Sequence, residues 1–134
     1  MQLVIVRHTE SAPGLPDELR TLTPTGREHA RSLGVELREQ GIEPDAVVAS
    51  PLLRALETAA ALAATLGLGD PEVDQRLAPG ASPADIREAA RGRGETVVVV
   101  AHQPDCGQAV AALTGGPEPA FPPGGYARLE LSVD

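Results

Sequence analysis

The chain contains a single cysteine, few aromatic residues, and no lysine, asparagine or tryptophan among its 134 residues. Phe121 and Tyr126 are its only Phe or Tyr residues, so the interior must be built from aliphatic side chains. Cys106 is alone and cannot form an internal disulfide, which is typical of a protein in a reducing compartment. Because no basic residue closely flanks Cys106, we expect a packed thiol rather than a nucleophile.

The sequence also has little basic charge and no long apolar segment. Its 11 basic residues are all arginines and face 19 acidic residues, which gives a formal net charge of −8. This charge argues against a nucleic-acid partner, because binding a phosphate backbone needs a broad basic surface. No apolar stretch approaches the roughly 20 residues that span a bilayer, and the first residues lack the basic segment of a signal peptide. We therefore expect a cytoplasmic protein without a membrane partner.

Short apolar and β-branched segments predict strands at 2–6, 45–49, 96–101 and 126–132. Segments with helical period lie between them, in the order β-α-β-α-loop-α-β-α-β. This order predicts a single domain over 1–134, a three-layer α/β/α sandwich with a mainly parallel central sheet. The runs LVIV and VVVV favour the same fold, because central parallel strands are covered on both faces.

Capping patterns predict where the helices begin and end. A capping box that starts at Thr25 marks the first helix, and Ser50 and Ser82 are candidate N-caps for the next two. Gly41 and Gly67 lie where the first and second helices would stop. A fourth helix follows the strand VVVVA, and the segment GGPEPAFPPGG is too rich in proline and glycine for regular structure.

Polar residues follow three of the predicted strands. The first strand ends in Arg7 and His8. The second ends in Ser50, one helical turn before Arg54, and the strand VVVVA ends at His102. Because the carboxyl ends of parallel strands share one edge, where ligands bind, we expect these imidazoles and guanidiniums to face one pocket.

Such a pocket is typical of a phosphate site. Guanidinium binds phosphate bidentately, and a helix N-terminus adds unpaired N–H groups. One histidine can attack phosphorus while another donates to an equatorial oxygen. A zinc site with His8, His102 and either Glu10 or another carboxylate is the alternative, but Arg7 and Arg54 would repel a cation. His29 lies in mid-helix, where we expect a solvated side chain.

The segments VIVRHTE, LTPTGREHA, VVASPLLRALETA and VVVVAHQPDCG resemble the histidine phosphatase superfamily, and within it the small SixA-type phosphohistidine phosphatases. The superfamily pattern is Arg-His-Gly, then Ser-Pro-x-x-Arg-Ala-x-x-Thr, then a late histidine at a strand end. The resemblance extends over nearly the whole chain, including the tail GGPEPAFPPGGYARLEL. Thr9 departs from the pattern, because glycine usually stands there and permits a positive φ or a close backbone approach to phosphate.

The resemblance implies that His8 is a nucleophile that becomes transiently phosphorylated, and that water then hydrolyses the phosphoenzyme. It implies no metal and no cofactor. We predict that His8, Arg7, Arg54 and His102 are catalytic. We predict that Thr9 and Ser50 bind the substrate.

The choice of carboxylates and the short length of the chain both bear on the class of substrate. Larger members carry a carboxylic acid that protonates a leaving alcohol; Glu10, Asp74 and Asp85 are candidates here, although we expect surface groups or caps. Imidazole leaves phosphorus more easily than alkoxide does, and the short chain leaves little sequence for a lid. We therefore predict a phosphatase for phosphohistidine in a phosphorylated protein. A small-molecule phosphomonoesterase and a catalytically silent phosphate-binding module remain alternatives, and a mutase would need an enclosing, acid-bearing site.

Overall fold

A five-stranded sheet forms the centre of the computed structural model, which describes residues 1–132. In chain order the strands are β1 (Gln2–Arg7), β2 (Ala46–Ala49), β3 (Glu72–Val73), β4 (Thr96–Ala101) and β5 (Tyr126–Glu130). Their spatial order is β3-β2-β4-β1-β5. All pairings are parallel except that of β5 with β1. The predicted, mainly parallel sheet is confirmed.

Four α-helices cover the two faces of this sheet. They are α1 (Pro24–Glu39), α2 (Leu53–Thr65), α3 (Pro83–Ala90) and α4 (Asp105–Thr114), and short 3-10 turns form at Asp17–Leu19 and Gln75–Leu77. Apolar residues of α1 and α2 pack in one buried cluster, and those of α3 and α4 pack in another. The fold is therefore the α/β/α sandwich that the sequence predicts. No helix within residues 1–132 has the length and apolarity needed to cross a bilayer.

The valine run of β4 shows why the central strands do not alternate between apolar and polar residues. Val97 and Val99 point into the cluster under α3 and α4, whereas Val98 and Val100 point into the cluster under α1 and α2. All four side chains are fully buried. Since successive side chains of a strand face opposite sides, a strand in the middle of three layers must be apolar throughout.

The first helix begins earlier than predicted. Its N-cap is Thr23, whose hydroxyl accepts a hydrogen bond from the Gly26 backbone at 2.9 Å. The capping box that starts at Thr25 is therefore wrong. Pro24 decides between the two threonines, because proline is favoured in the first helical turn and sits one residue after Thr23.

The second helix begins later than predicted. Its N-cap is Leu52, so the N-cap assignment of Ser50 is wrong. The Ser50 hydroxyl accepts from the Leu52 backbone at 3.2 Å and also contacts His102. Ser82, by contrast, caps α3 in a reciprocal box with Asp85, as predicted.

The remaining boundaries differ little from the prediction. Gly41 and Gly67 follow their helices with a φ of 78° each, which confirms both stop signals. The segment GGPEPAFPPGG contains no helix or strand after α4, as predicted. Strand β3 was not predicted, because two exposed residues on a sheet edge carry no periodic pattern.

Gly26 lies where α1 passes against the chain after β1. A Cβ atom there would overlap the Glu10 carbonyl oxygen. We expect Gly26→Ala to lower the free energy of unfolding by about 1–3 kcal/mol, because the overlap forces backbone shifts. Urea denaturation checks this. Gly69→Ala is the matched control, since a Cβ at that position has no neighbour within 4 Å. Equal losses of unfolding free energy in both variants would show that the close contact between residue 26 and the Glu10 carbonyl does not limit stability.

Candidate active site

His8 follows β1 and is buried, with 7% of its surface exposed. Its Nδ1 lies 2.8 Å from the Thr9 carbonyl oxygen. Because a carbonyl only accepts, Nδ1 carries the proton and Nε2 has a free lone pair. Burial lowers the pKa of His8 to about 4; the Thr9 carbonyl opposes the shift, and nearby arginines, Arg54 first, add to it. His8 is therefore neutral at pH 7, which is the form a nucleophile needs.

His102 follows β4, the parallel neighbour of β1, and its ring centroid lies 5.4 Å from that of His8. Its Nε2 is 2.7 Å from the Ser50 hydroxyl. Its Nδ1 is buried and has no hydrogen-bond partner within residues 1–132. Burial, followed by the charges of His8 and Arg54, lowers the pKa of His102 to about 3. His102 is therefore a neutral imidazole with one nitrogen that is buried and unpaired among the described residues.

Arg7 is fixed by the proline-rich loop that precedes β5. Its Nη1 donates to the Phe121 carbonyl oxygen at 2.9 Å, and Phe121 itself packs in the core. Its backbone N–H donates to the Gly125 carbonyl, and its carbonyl accepts from the Gly124 backbone. The Nε of Arg7 is buried without a partner among the described residues. The loop therefore positions this guanidinium and leaves one of its donors unused.

Arg54 lies in the first turn of α2 and is also buried. Its Nη1 donates to the Asp17 carbonyl oxygen at 2.9 Å, and its Nη2 is 3.3 Å from the Asp17 carboxylate. One turn later, the Thr58 hydroxyl donates to the Arg54 carbonyl at 2.8 Å and accepts from the Thr9 backbone at 3.2 Å. The threonine of the Arg-Ala-x-x-Thr motif thereby joins α2 to the residue after His8.

Two charged residues of this site, Arg20 and Asp17, were not predicted from the sequence. The Arg20 guanidinium donates to the Ala12 carbonyl, to the Ser11 hydroxyl and to the Asp17 carboxylate, each at 2.9–3.0 Å. The Arg20 interaction lowers the pKa of Asp17, so this residue is a carboxylate at neutral pH. Both residues lie between β1 and α1, where nothing in the sequence distinguishes them from other surface charges.

These groups surround one cavity of about 310 Å³ at the carboxyl edge of the sheet. The four residues predicted to be catalytic all line it: Arg7, His8, Arg54 and His102. Glu10, Ser11, Arg20 and Gln103 also contribute to its wall. The structure therefore brings the two imidazoles together with three guanidiniums. The guanidiniums supply hydrogen-bond donors that match a tetrahedral oxyanion, and the His8 lone pair lies beside them.

Thr9 and Ser50 lie behind the cavity wall rather than in it. Both are fully buried. The Thr9 hydroxyl donates to the Gly26 carbonyl at 2.8 Å, and the Ser50 hydroxyl contacts His102. Their predicted role in substrate binding stays a prediction. No non-glycine residue in 1–132 has a positive φ, so the backbone at Thr9 does not require glycine.

The three carboxylates considered as proton donors, Glu10, Asp74 and Asp85, lie in different places. Glu10 lines the cavity and accepts from the Thr23 hydroxyl at 2.6 Å. Asp74 instead pairs with Arg76, which is the main reason that its pKa falls to about 2. Asp85 caps α3. Of the three, only Glu10 could reach a substrate in the cavity.

Two further side chains lie outside the site. Cys106 is fully buried against the Val6 carbonyl, and burial raises the pKa of its thiol to about 12, so it is a packed thiol as expected. His29 is exposed on α1. As for the zinc alternative, no group of three or more His, Cys, Asp or Glu side chains in residues 1–132 could hold a metal ion.

Comparison with known proteins identifies the class to which this site belongs. Residues 3–79 match the model of the histidine phosphatase superfamily (branch 1), which is more than half of the chain. The chain belongs to this superfamily and is a phosphatase that acts through histidine. The matched segment includes His8 and Arg54 but ends before His102.

Individual relatives match over most of their length. The chain is 32% identical to the phosphohistidine phosphatase SixA of Escherichia coli K12 over 125 residues, which cover 89% of this chain and 78% of the relative. It is 33% identical over 123 residues to an uncharacterized protein of Picosynechococcus, covering 87% of this chain and 74% of that protein.

Solved structures agree with this assignment. The structure of the protein histidine phosphatase SixA complexed with tungstate matches with a TM-score of 0.87 at 30% identity, over 98% of this chain and 88% of that chain. A putative phosphohistidine phosphatase SixA from Agrobacterium tumefaciens, at 21% identity, shares the fold with a TM-score of 0.83 over 96% and 90% of the two chains.

The protonation state of His8 can be measured directly. We expect its imidazole to titrate near pH 4 in an NMR experiment with labelled histidine, well below the ordinary value of 6.5, because burial disfavours the charged ring. The fraction of enzyme with a neutral, reactive His8 is then close to one at neutral pH, and it falls as the pH drops through about 4. A His8→Ala variant assigns the resonance. A midpoint at or above the ordinary value would contradict this account.

Proposed function

We propose that this phosphatase removes phosphoryl groups from phosphohistidine in a protein, through a phosphohistidine intermediate on His8. The observation that carries the proposal is a buried, neutral His8 whose Nδ1 is hydrogen-bonded to the Thr9 carbonyl. Its unpaired Nε2 shares a cavity with three guanidiniums. The name of a relative, the phosphohistidine phosphatase SixA, supports the substrate, and a solved SixA structure with bound tungstate supports an oxyanion site.

In the proposed reaction, the Nε2 lone pair of His8 attacks phosphorus. The bond between phosphorus and the substrate imidazole breaks, and that imidazole leaves with the electron pair and takes a proton from water. A second water then attacks the phosphoryl group on His8; the bond between Nε2 and phosphorus breaks, its electron pair returns to Nε2, and orthophosphate leaves. The proton that this water loses neutralises the hydroxide left by the first step, and the neutral ring is regenerated. Guanidiniums fixed around the cavity stabilise the charge on the equatorial oxygens in both steps.

Two features support a protein substrate. The cavity is small, about 310 Å³, which is room for a phosphoryl group and the end of a side chain rather than for a large metabolite. The wall of the cavity also includes the exposed residues Glu10, Pro79 and Pro123, so that a phosphorylated side chain on a protein surface can enter. We further propose that the reaction needs no metal ion, because Arg7, Arg20 and Arg54 supply the positive charge and would repel a cation.

We also propose a cytoplasmic location and no nucleic-acid partner. The single buried cysteine, Cys106, is compatible with a reducing compartment. The net charge of −8 opposes binding to a phosphate backbone, although local arginines still attract one phosphoryl group.

A small-molecule phosphomonoesterase is the second candidate, and Glu10 is the observation that favours it. Its carboxyl group lines the cavity, within reach of a bound substrate. A carboxylic acid there could protonate a leaving alkoxide, which phosphohistidine hydrolysis does not require.

The nucleophile can be tested by trapping. Brief incubation with a ³²P-labelled phosphohistidine-bearing domain, in EDTA, should leave acid-labile label on the wild-type protein. His8→Ala should trap none and should lower turnover by a factor on the order of 10³ or more, since the covalent route is gone. His29→Gln is the control and should behave like wild type, because that histidine does not line the cavity and the amide keeps a side chain of similar size beside Gly124.

Unchanged turnover in His8→Ala would overturn the proposed mechanism. If label and activity disappeared only when EDTA is present, the reaction would need a metal ion and that part of the proposal would be wrong. No phosphatase activity in the wild type on any substrate would favour the phosphate-binding module.

Glu10→Gln separates the two substrate classes, because the amide cannot donate as an acid yet still accepts from the Thr23 hydroxyl. If phosphohistidine is the substrate, we expect kcat on a phosphohistidine-bearing domain to change less than about threefold, since general acid catalysis, which contributes about 10²–10⁴-fold where it is used, is not needed. Faster wild-type turnover of p-nitrophenyl phosphate than of the phosphorylated domain, together with a hundredfold loss in Glu10→Gln, would establish the monoesterase instead.

A further inference from the structure

An exposed apolar loop borders the candidate active site. We call residues 12–19, between β1 and α1, the rim loop. Four large apolar side chains are exposed within residues 1–132, and two of them, Leu15 and Leu19, lie in the rim loop. Leu15 is 95% exposed and Leu19 is 61% exposed. Large apolar side chains that cluster at the surface typically mark an interaction site.

The rim loop is attached to the cavity at both ends. Ser11 and Arg20, which flank it, both line the cavity. In its middle, Asp17 contacts Arg54 through its carbonyl and its carboxylate. Leu15 and Leu19 are each two residues from Asp17, so their Cα atoms lie within about 7 Å of the Asp17 Cα. Both leucines are therefore beside the cavity mouth.

Hydrogen bonds hold the rim loop in one conformation. The Ala12 backbone N–H donates to the Thr21 carbonyl at 2.8 Å, and Arg20 donates to the Ala12 carbonyl and to the Asp17 carboxylate. Because the backbone is already ordered by these bonds, a partner that contacts Leu15 loses little conformational entropy in the loop. These bonds fix Ala12 and Asp17, which lie on either side of Leu15.

The charge on the rim loop indicates what would fit against it. Glu18 is exposed beside Leu19 and makes no ion pair within residues 1–132. The two arginines that contact the rim loop, Arg20 and Arg54, are both engaged by Asp17. A complementary partner therefore has an apolar patch next to a lysine or arginine.

We propose that the rim loop is a docking surface for the phosphoprotein substrate, in which Leu15 and Leu19 contact an apolar patch and Glu18 pairs with a basic side chain near the phosphorylated residue. This inference rests on the proposed function, since it requires the substrate to be a protein. Leu15 and Leu19 are not catalytic residues; they determine which phosphorylated surfaces present their phosphoryl group to His8.

The test compares two substrates with the same reacting bond. Wild type, Leu15→Ala, Leu19→Ala and the double variant are assayed on a phosphohistidine-bearing domain and on free phosphohistidine. We expect kcat/KM on the domain to fall about tenfold or more in the double variant. On free phosphohistidine it should stay within about twofold of wild type, because alanine leaves the charges of the cavity unchanged.

Val35→Ala is the matched control. Val35 is an exposed apolar residue of α1 and lies about 16 Å along the helix from Pro24, where α1 begins. It should leave both activities unchanged. Glu18→Gln should lower kcat/KM on the domain and reduce its dependence on salt.

An equal loss on both substrates, or no loss on either, would overturn the docking surface while leaving the proposed function intact. Wild-type protein that hydrolyses free phosphohistidine but not the phosphorylated domain would overturn the protein substrate itself. If sedimentation showed a wild-type dimer that the double variant cannot form, with unchanged turnover of the domain, the rim loop would be a contact between two copies of the chain and the proposal would be wrong.

Discussion

The hydrogen bond from the His8 Nδ1 to the Thr9 carbonyl oxygen is the interaction on which the site depends. A buried imidazole keeps one nitrogen free only if the other nitrogen has a permanent acceptor. The Thr9 carbonyl is held in place because its own residue is tied on both sides: its N–H donates to Thr58 on α2, and its hydroxyl donates to the Gly26 carbonyl on α1. Motif residues distant in sequence thus support a single acceptor. The same contacts explain why threonine is accommodated where the superfamily usually has glycine.

The site combines two neutral imidazoles with three cationic side chains, although the protein as a whole is strongly acidic. Burial and the neighbouring positive charges act in the same direction, because both disfavour a further proton on His8 or His102. The arginines therefore have two functions. They attract a phosphoryl group, and they keep the nucleophile in its reactive form.

Four of the five strands could be predicted from the sequence, and so could the common cavity of Arg7, His8, Arg54 and His102, because the carboxyl ends of parallel strands share one edge of a sheet. Errors arose where a residue has several possible partners. Thr23 and Thr25 both lie at the start of α1, and Pro24 favours the first as the N-cap. Ser50 has the chemistry of a cap, but the fold uses its hydroxyl for His102.

Arg20 and Asp17 could not be found in this way, because tertiary contacts alone place them at the cavity. Their segment has no repeating apolar pattern, and its position depends on hydrogen bonds to Ala12, Thr21 and Arg54. A sequence pattern reports periodic packing against a core. It does not report where an irregular connection folds back over a strand end.

The Asp17 carboxylate pairs with both Arg20 and Arg54. A phosphoryl group that binds these two arginines would compete with this carboxylate for their N–H donors. The negative charge of the aspartate therefore opposes tight binding of any anion at this edge of the cavity, orthophosphate included.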